Sequence, residues 1–176
     1  MKKKWCVIYT KTNYENKVAA LLTKRKIENY CPINRIIYYT GDKKKILFEP
    51  LFSSYVFVYI TDAEMALIRN IASVINFVYW MGNPAVIKNV EIDSIQHFAS
   101  QHSNINLSKI GINNNGLMEM ISQPSIVDNY QSYAPSVNTP HNKLLLPSMG
   151  CMMTAEIEKS SSNVSVYGFG KVKMIF

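Results

Sequence analysis

The chain has 176 residues, 48 % of them hydrophobic, enough for one ordinary domain or two small ones around a packed core. Its formal charge is +7, and no apolar run approaches the ~18 residues that a membrane span needs. Met1-Lys2-Lys3-Lys4-Trp5 leads into no signal-peptide core, and Cys6, Cys31 and Cys151 are too few and too scattered for a disulfide framework or a zinc site. A cytoplasmic protein in a reducing compartment is expected.

The charge is unevenly placed. Residues 1–45 hold twelve Lys and Arg against Glu15, Glu28 and Asp42, a net of +9, which leaves −2 for the remainder. Such an asymmetry fits an N-terminal face that meets an anion, nucleic acid above all, and equally fits a solvated lysine-rich surface.

Trp5-Cys6-Val7-Ile8-Tyr9 is β-branched and aromatic and reads as a first strand. Thr12-x-x-Glu15 has the form of a capping box, so a helix is predicted from there to about Lys26. Tyr14, Val18, Leu21, Leu22 and Arg25 would share its inner stripe, with Lys17 and Lys24 outside and Lys11 just before it. Residues 27–39 form a strand region broken at Cys31-Pro32. Thr40-Gly41-Asp42 is a turn, and Lys43-Lys44-Lys45-Ile46-Leu47-Phe48 returns as the second arm of a hairpin with a basic tip. Residues 51–60 read as the central strand. Tyr55, Phe57 and Tyr59 alternate with Val56, Val58 and Ile60, so both faces of the sheet should be covered.

Thr61-x-x-Glu64 is a second capping box and opens a helix of about ten residues with Met65, Ile68 and Ile71 inward. Residues 74–80 form the next strand, Gly82-Asn83-Pro84 a turn, and residues 90–101 a third helix with Ile92, Ile95 and Phe98 on one side. The order predicts an α+β domain over residues 1–100, an antiparallel sheet flanked by helices. Residues 101–115, rich in Asn and without periodicity, read as a flexible linker. Residues 116–176 read as a small all-β domain with strands at 117–121, 143–146, 151–157 and 164–169.

No catalytic chemistry is visible. His97, His102 and His141 have no cysteine or carboxylate at metal-ligand spacing, carboxylates are sparse, and no phosphate-binding loop or nucleophile motif occurs. Neither an enzyme nor a metal or cofactor is expected.

Three ordered blocks carry a resemblance. Trp5-Cys6-Val7-Ile8-Tyr9-Thr10-Lys11 resembles the opening W-Y-x-x-x-x-K strand of the NusG N-terminal domain. Pro50-Leu51-Phe52-Ser53-Ser54-Tyr55-Val56-Phe57-Val58 resembles that family's P-L-F-P-G-Y-V-F-V, with Ser53-Ser54 in place of Pro-Gly. Val74-x-x-Phe77-Val78, then Gly82-x-Pro84-Ala85-x-Ile87, is similar to V-x-x-F-V-x-x-G-x-P-x-x-I. The second half resembles a KOW domain, an SH3-like barrel, at its ends only. Asp128-Asn129-Tyr130-Gln131-Ser132-Tyr133 stands where the glycines of the KOW turn belong. Leu144-Leu145-Leu146-Pro147-Ser148-Met149-Gly150 resembles the specialised Bacteroides-type, UpxY-like paralogues.

The resemblance implies a monomeric transcription elongation and antitermination factor of the NusG/RfaH type. Such a factor seats a hydrophobic cavity on the β′ clamp helices of RNA polymerase and suppresses pausing and termination, in the specialised paralogues often on surface-polysaccharide operons. Some members also read the non-template DNA strand. Matched position by position, Tyr9, Phe52 and Tyr55 would line the polymerase cavity, and Lys11, Tyr14, Lys24 and Arg25 would face the DNA. The H-T-T contact of one subgroup falls near Glu64-Met65-Ala66 and is not preserved. The resemblance names no partner for the C-terminal domain. A second reading stays open: Ser54-Tyr55-Val56-Phe57-Val58-Tyr59 also resembles the stacking strand of a free-standing single-stranded RNA-binding module, which needs Phe57 in solvent. A third is an assembly protein without nucleic acid.

Overall fold

The computed structural model describes residues 2–80, 82–112, 118–121 and 141–156. Strand β1 (Lys4–Thr10) is followed by helix α1 (Glu15–Lys24), β2 (Glu28–Tyr30), β3 (Ile33–Thr40), β4 (Lys43–Pro50) and β5 (Tyr55–Ile60). Helix α2 (Met65–Arg69) leads to β6 (Val74–Phe77), β7 (Tyr79–Trp80), β8 (Asn83–Pro84), β9 (Val86–Ile87) and α3 (Asn89–Gln101). Then come β10 (Asn106–Ile112), β11 (Met118–Ile121), β12 (His141–Leu146) and β13 (Cys151–Glu156).

The main sheet runs β2-β5-β1-β6, with β9 also on β1, and every pairing to β1 and β5 is antiparallel. Alternation along β1 and β5 sorts their side chains onto two covered faces. Cys6, Ile8, Val56, Val58 and Ile60 pack with Val18 and Leu22 of α1 and Met65 and Ile68 of α2. Trp5, Val7 and Phe57 pack on the other side with Ile92, Ile95 and Phe98 of α3. Each such buried large side chain contributes roughly 1.5–3 kcal/mol of transfer free energy. The expected α+β sheet flanked by helices is therefore the architecture of the first hundred residues.

Four expectations are corrected. The strand expected from residue 51 begins at Tyr55, because Leu51–Ser54 turns: Ser54 is left-handed at φ +66° and Tyr55 N–H donates to the Phe52 carbonyl. The capping box at Thr12 does not close. Asn13 at φ +64° turns the chain, and Glu15 is buried with its carboxylate accepting from Ser54 N–H at 2.5 Å. The inner stripe of α1 is accordingly Glu15, Val18 and Leu22, while Tyr14 and Arg25 lie outside it. The second capping box does form, with Thr61 N–H donating to Glu64 at 2.8 Å, but it opens a 3-10 turn and only five residues of α-helix.

The fourth correction is to the linker. Of residues 101–115, the first ends α3 and 106–112 are strand β10, inside a four-stranded sheet ordered β11-β10-β13-β12. That sheet shares the core of the first half. Ile105, Leu146, Met153 and Ala155 are buried in the cluster of Trp5, Phe57 and Ile95. Glu91 of α3 accepts from the Ser148 N–H at 2.9 Å. The strand expected at 164–169, the insertion at 128–133 and the linker's residues 113–115 lie outside the described residues.

Candidate functional site

Antiparallel register brings Tyr9 and Tyr55 opposite each other on β1 and β5, at the end of the sheet face that also bears Trp5, Val7, Phe57 and Tyr59. The face is aromatic along its length. Trp5 meets Tyr59 at 5.2 Å between ring centroids, Tyr30 stacks on Phe57 at 6.3 Å, and Tyr9 meets Tyr55 at 5.6 Å. Its middle is closed, with Phe57 wholly buried beneath the cluster of α3 and the C-terminal strands. A base-stacking platform on β5 is thereby excluded, since Phe57 has no solvent face to offer.

The Tyr9 end is open. Tyr9 is 39 % exposed and Tyr55 is half-buried beside it. Phe52 is buried at 4 % exposure, its ring edge-on to Phe57 at 5.4 Å. The structure therefore gathers all three predicted cavity residues in one neighbourhood but divides them. Two tyrosines reach solvent, and the phenylalanine supports them from the core. Burial pushes the nearby Tyr30 hydroxyl up to about 12 and the Cys31 thiol up to about 11, so both stay protonated in neutral solution.

The second set of residues lies along α1. Lys11, Tyr14, Lys24 and Arg25 are all exposed. Tyr14 is the N-cap and Arg25 the C-cap, so the pairs Lys11/Tyr14 and Lys24/Arg25 sit at opposite ends of ten helical residues, about 15 Å apart. Lys17 joins the first pair, its ammonium 4.7 Å from the Tyr14 ring centroid. The result is a basic stripe with one aromatic ring, suited to a phosphate chain.

The N-terminal charge does not form one face. Lys2, Lys3 and Lys4 line a groove of about 700 Å³ with Trp5, Tyr59 and Lys88. They lie at the far end of β1 from Lys11, a seven-residue strand of about 23 Å. There the Lys4 ammonium pairs with Asp62 at 2.7 Å, a hydrogen bond that raises its pKa. Lys43, Lys44 and Lys45 stand apart again, at the tip of the β3–β4 hairpin. Among the described residues no three His, Cys, Asp or Glu side chains gather as a metal site, and no helix is long and apolar enough to cross a membrane.

Sequence reasoning missed Glu15, Asn34 and Asn104 as framework residues and the rings of Tyr39 and Phe48 as exposed ones. The turn at Gly41-Asp42 fixes the hairpin register, so the last two were open to deduction. The asparagine pairings join residues 71 and 67 apart and left no local signal.

A family model described as the transcription termination factor NusG matches residues 3–96, just over half of the chain. The chain belongs to the NusG family. NusG-family proteins are transcription factors rather than enzymes. Among solved structures, one titled "Domain interaction in Thermotoga maritima NusG" is similar at 28 % identity and a TM-score of 0.39. The match covers 58 % of this chain and 60 % of that one, so the chain spans less than two thirds of that NusG's length. No curated protein matches.

Proposed function

We propose that this NusG-family chain is a specialised transcription elongation factor that docks on RNA polymerase through the Tyr9–Tyr55 end of its aromatic face. The carrying observation is that ring pair, the open end of an otherwise covered aromatic face. Aromatic anchors supply most of the energy of such interfaces, and a tyrosine pair on a rigid sheet is pre-organised to grip a helix pair such as the β′ clamp helices. Phe52 acts from beneath by holding the turn that carries Tyr55. The α1 stripe of Lys11, Tyr14, Lys24 and Arg25 is the reading's contact to the non-template DNA strand, its cations tracking phosphates and its ring offering a stacking surface. In this reading the chain acts as a monomer in the cytoplasm and suppresses pausing and termination by holding polymerase and the DNA strand together. The divergent second half, whose Leu144–Ile157 stretch resembles the UpxY-like paralogues, supports a specialised role such as a surface-polysaccharide operon; in this reading it is a variant of the KOW barrel.

Full-length protein binding to purified core RNA polymerase tests the reading. Tyr9→Ser with Tyr55→Ser should weaken binding about thirtyfold or more, the loss of one exposed and one half-buried anchor. Lys24→Glu with Arg25→Glu should leave binding to the isolated clamp helices within about twofold and weaken only DNA-dependent recruitment. Wild-type affinity in the tyrosine double variant would overturn the docking surface.

A further inference from the structure

Among the described residues the β3–β4 hairpin is a two-stranded ribbon paired to no third strand. Side chains of partnered residues share a face. One face therefore carries Arg35 opposite Phe48, Ile37 opposite Ile46, and Tyr39 opposite Lys44. This is the open face. Phe48 is 64 % exposed, Tyr39 63 % and Ile46 50 %, and Arg35 and Lys44 are exposed beside them. The other face is more covered along β3, where Asn34 turns to the Ile105 carbonyl and Ile36 and Tyr38 are half-buried, while Leu47 and Lys45 of β4 stay exposed, Lys45 6.0 Å from the Tyr38 ring.

The open face thus has two rings at diagonal corners, two cations at the other corners, and an aliphatic pair between. The rows at residues 35 and 39 are about 14 Å apart along the strand. The acids of the hairpin leave this face clear, with Asp42 in the turn and Glu49 on the covered side. An apolar protein partner that covered both rings would also have to cover Arg35 and Lys44 at the other two corners, at a cost for each ion left unpaired. A closed duplex hides the base faces that would match the rings. A single strand has both complements at once: π-faces for the rings and phosphates for the cations. The platform is also held in place. Asn104 accepts from Ile37 N–H at 2.6 Å and donates to the Ile37 carbonyl at 3.2 Å, clipping β3 to the body.

We propose that the open face of the β3–β4 hairpin binds single-stranded nucleic acid, stacking bases on Tyr39 and Phe48 and pairing phosphates with Arg35 and Lys44. This goes beyond the polymerase-docking reading and does not rest on it. The test is fluorescence anisotropy of the full-length chain with short labelled oligo(dT) and oligo(rU), in the absence of polymerase. Tyr39→Ala with Phe48→Ala should weaken binding about tenfold or more, while the ring-retaining Tyr39→Phe with Phe48→Tyr should stay within about twofold. Arg35→Gln with Lys44→Gln should lower the slope of log affinity against log salt by about 1.4, the signature of two lost phosphate contacts to a single strand. Tighter oligo(dT) names displaced DNA as the source, and tighter oligo(rU) names the transcript. Three results would overturn the proposal. They are no binding by the wild type, full binding by the double alanine variant while Lys24→Glu with Arg25→Glu loses it, or equal loss in the ring-retaining variant.

Discussion

Ser54 occupies the left-handed region, at φ +66°, where the resembling P-L-F-P-G-Y motif carries glycine. An L-residue there costs roughly 1–2 kcal/mol, so something must hold it. Its N–H donates to the buried Glu15 carboxylate, its carbonyl accepts from Thr10 N–H at 2.8 Å, and its hydroxyl lies 3.4 Å from that of Thr12. The turn thus keeps its form without its glycine, and the Tyr55 it launches keeps its place beside Tyr9. Ser54→Gly should raise unfolding stability by about 0.5–1 kcal/mol, the relief of strain exceeding the added flexibility of the unfolded chain. A higher urea midpoint at unchanged slope would show it, and a lower one would mean the hydroxyl contact outweighs the strain. Nothing local made this legible. Thr12-x-x-Glu15 spells a capping box, and the motif loses only because a backbone amide 39 residues away needs Glu15 more. Phe52 is the same case in reverse. Its place near the candidate site was readable from the motif, and its burial was not, because what covers it comes from distant segments.

Elements with their own periodicity were readable: the alternation of β5, the apolar positions Ile92, Ile95 and Phe98 of α3, and the hairpin around Gly41-Asp42. The stretch after α3 was not, because its polarity looks like solvation. Asn34 and Asn104 instead act as surrogate backbone. Asn34 exchanges two hydrogen bonds with Ile105, and Asn104 two with Ile37, so the chain at 104–105 serves as a partner for β3 through side chains. A two-stranded ribbon is marginal alone in water, so this clip should set its stability. Asn104→Ala removes both bonds to Ile37, about 2 kcal/mol together. Amide exchange across residues 33–50 should accelerate about thirtyfold in that variant, with β1 and β5 unchanged. Uniform acceleration across all strands would instead make the hairpin part of the global core.

At the scale of the molecule the two halves share one apolar cluster, in which Leu146 and Met153 are fully buried alongside Phe57 and Ile95. The boundary near residue 100 marks a change of composition, and the core runs across it. A polar, asparagine-rich join is a sound signal for a linker only when no buried residue lies beyond it, and here β12 brings back Leu146 and β13 brings back Met153 and Ala155. Two consequences can be separated by experiment. Leu146→Ala leaves a cavity in a core built from both halves and should cost about 2–5 kcal/mol. If the core is shared, the loss appears in the fluorescence of Trp5, read in a Trp80→Phe background that removes the exposed second tryptophan, and the chain still unfolds in one transition. If the C-terminal strands were an independent module, Leu146→Ala would leave the Trp5 transition where it was and split the unfolding curve in two. The shared core also bears on fragments. A chain cut near residue 100 uncovers the face bearing Trp5, Phe57 and Phe98, so polymerase captured by such a fragment must be compared with capture by the full-length chain carrying Leu146→Ala. Equal gain of binding in both would mean that the C-terminal strands compete for that face, and gain in the fragment alone would point to exposed apolar surface.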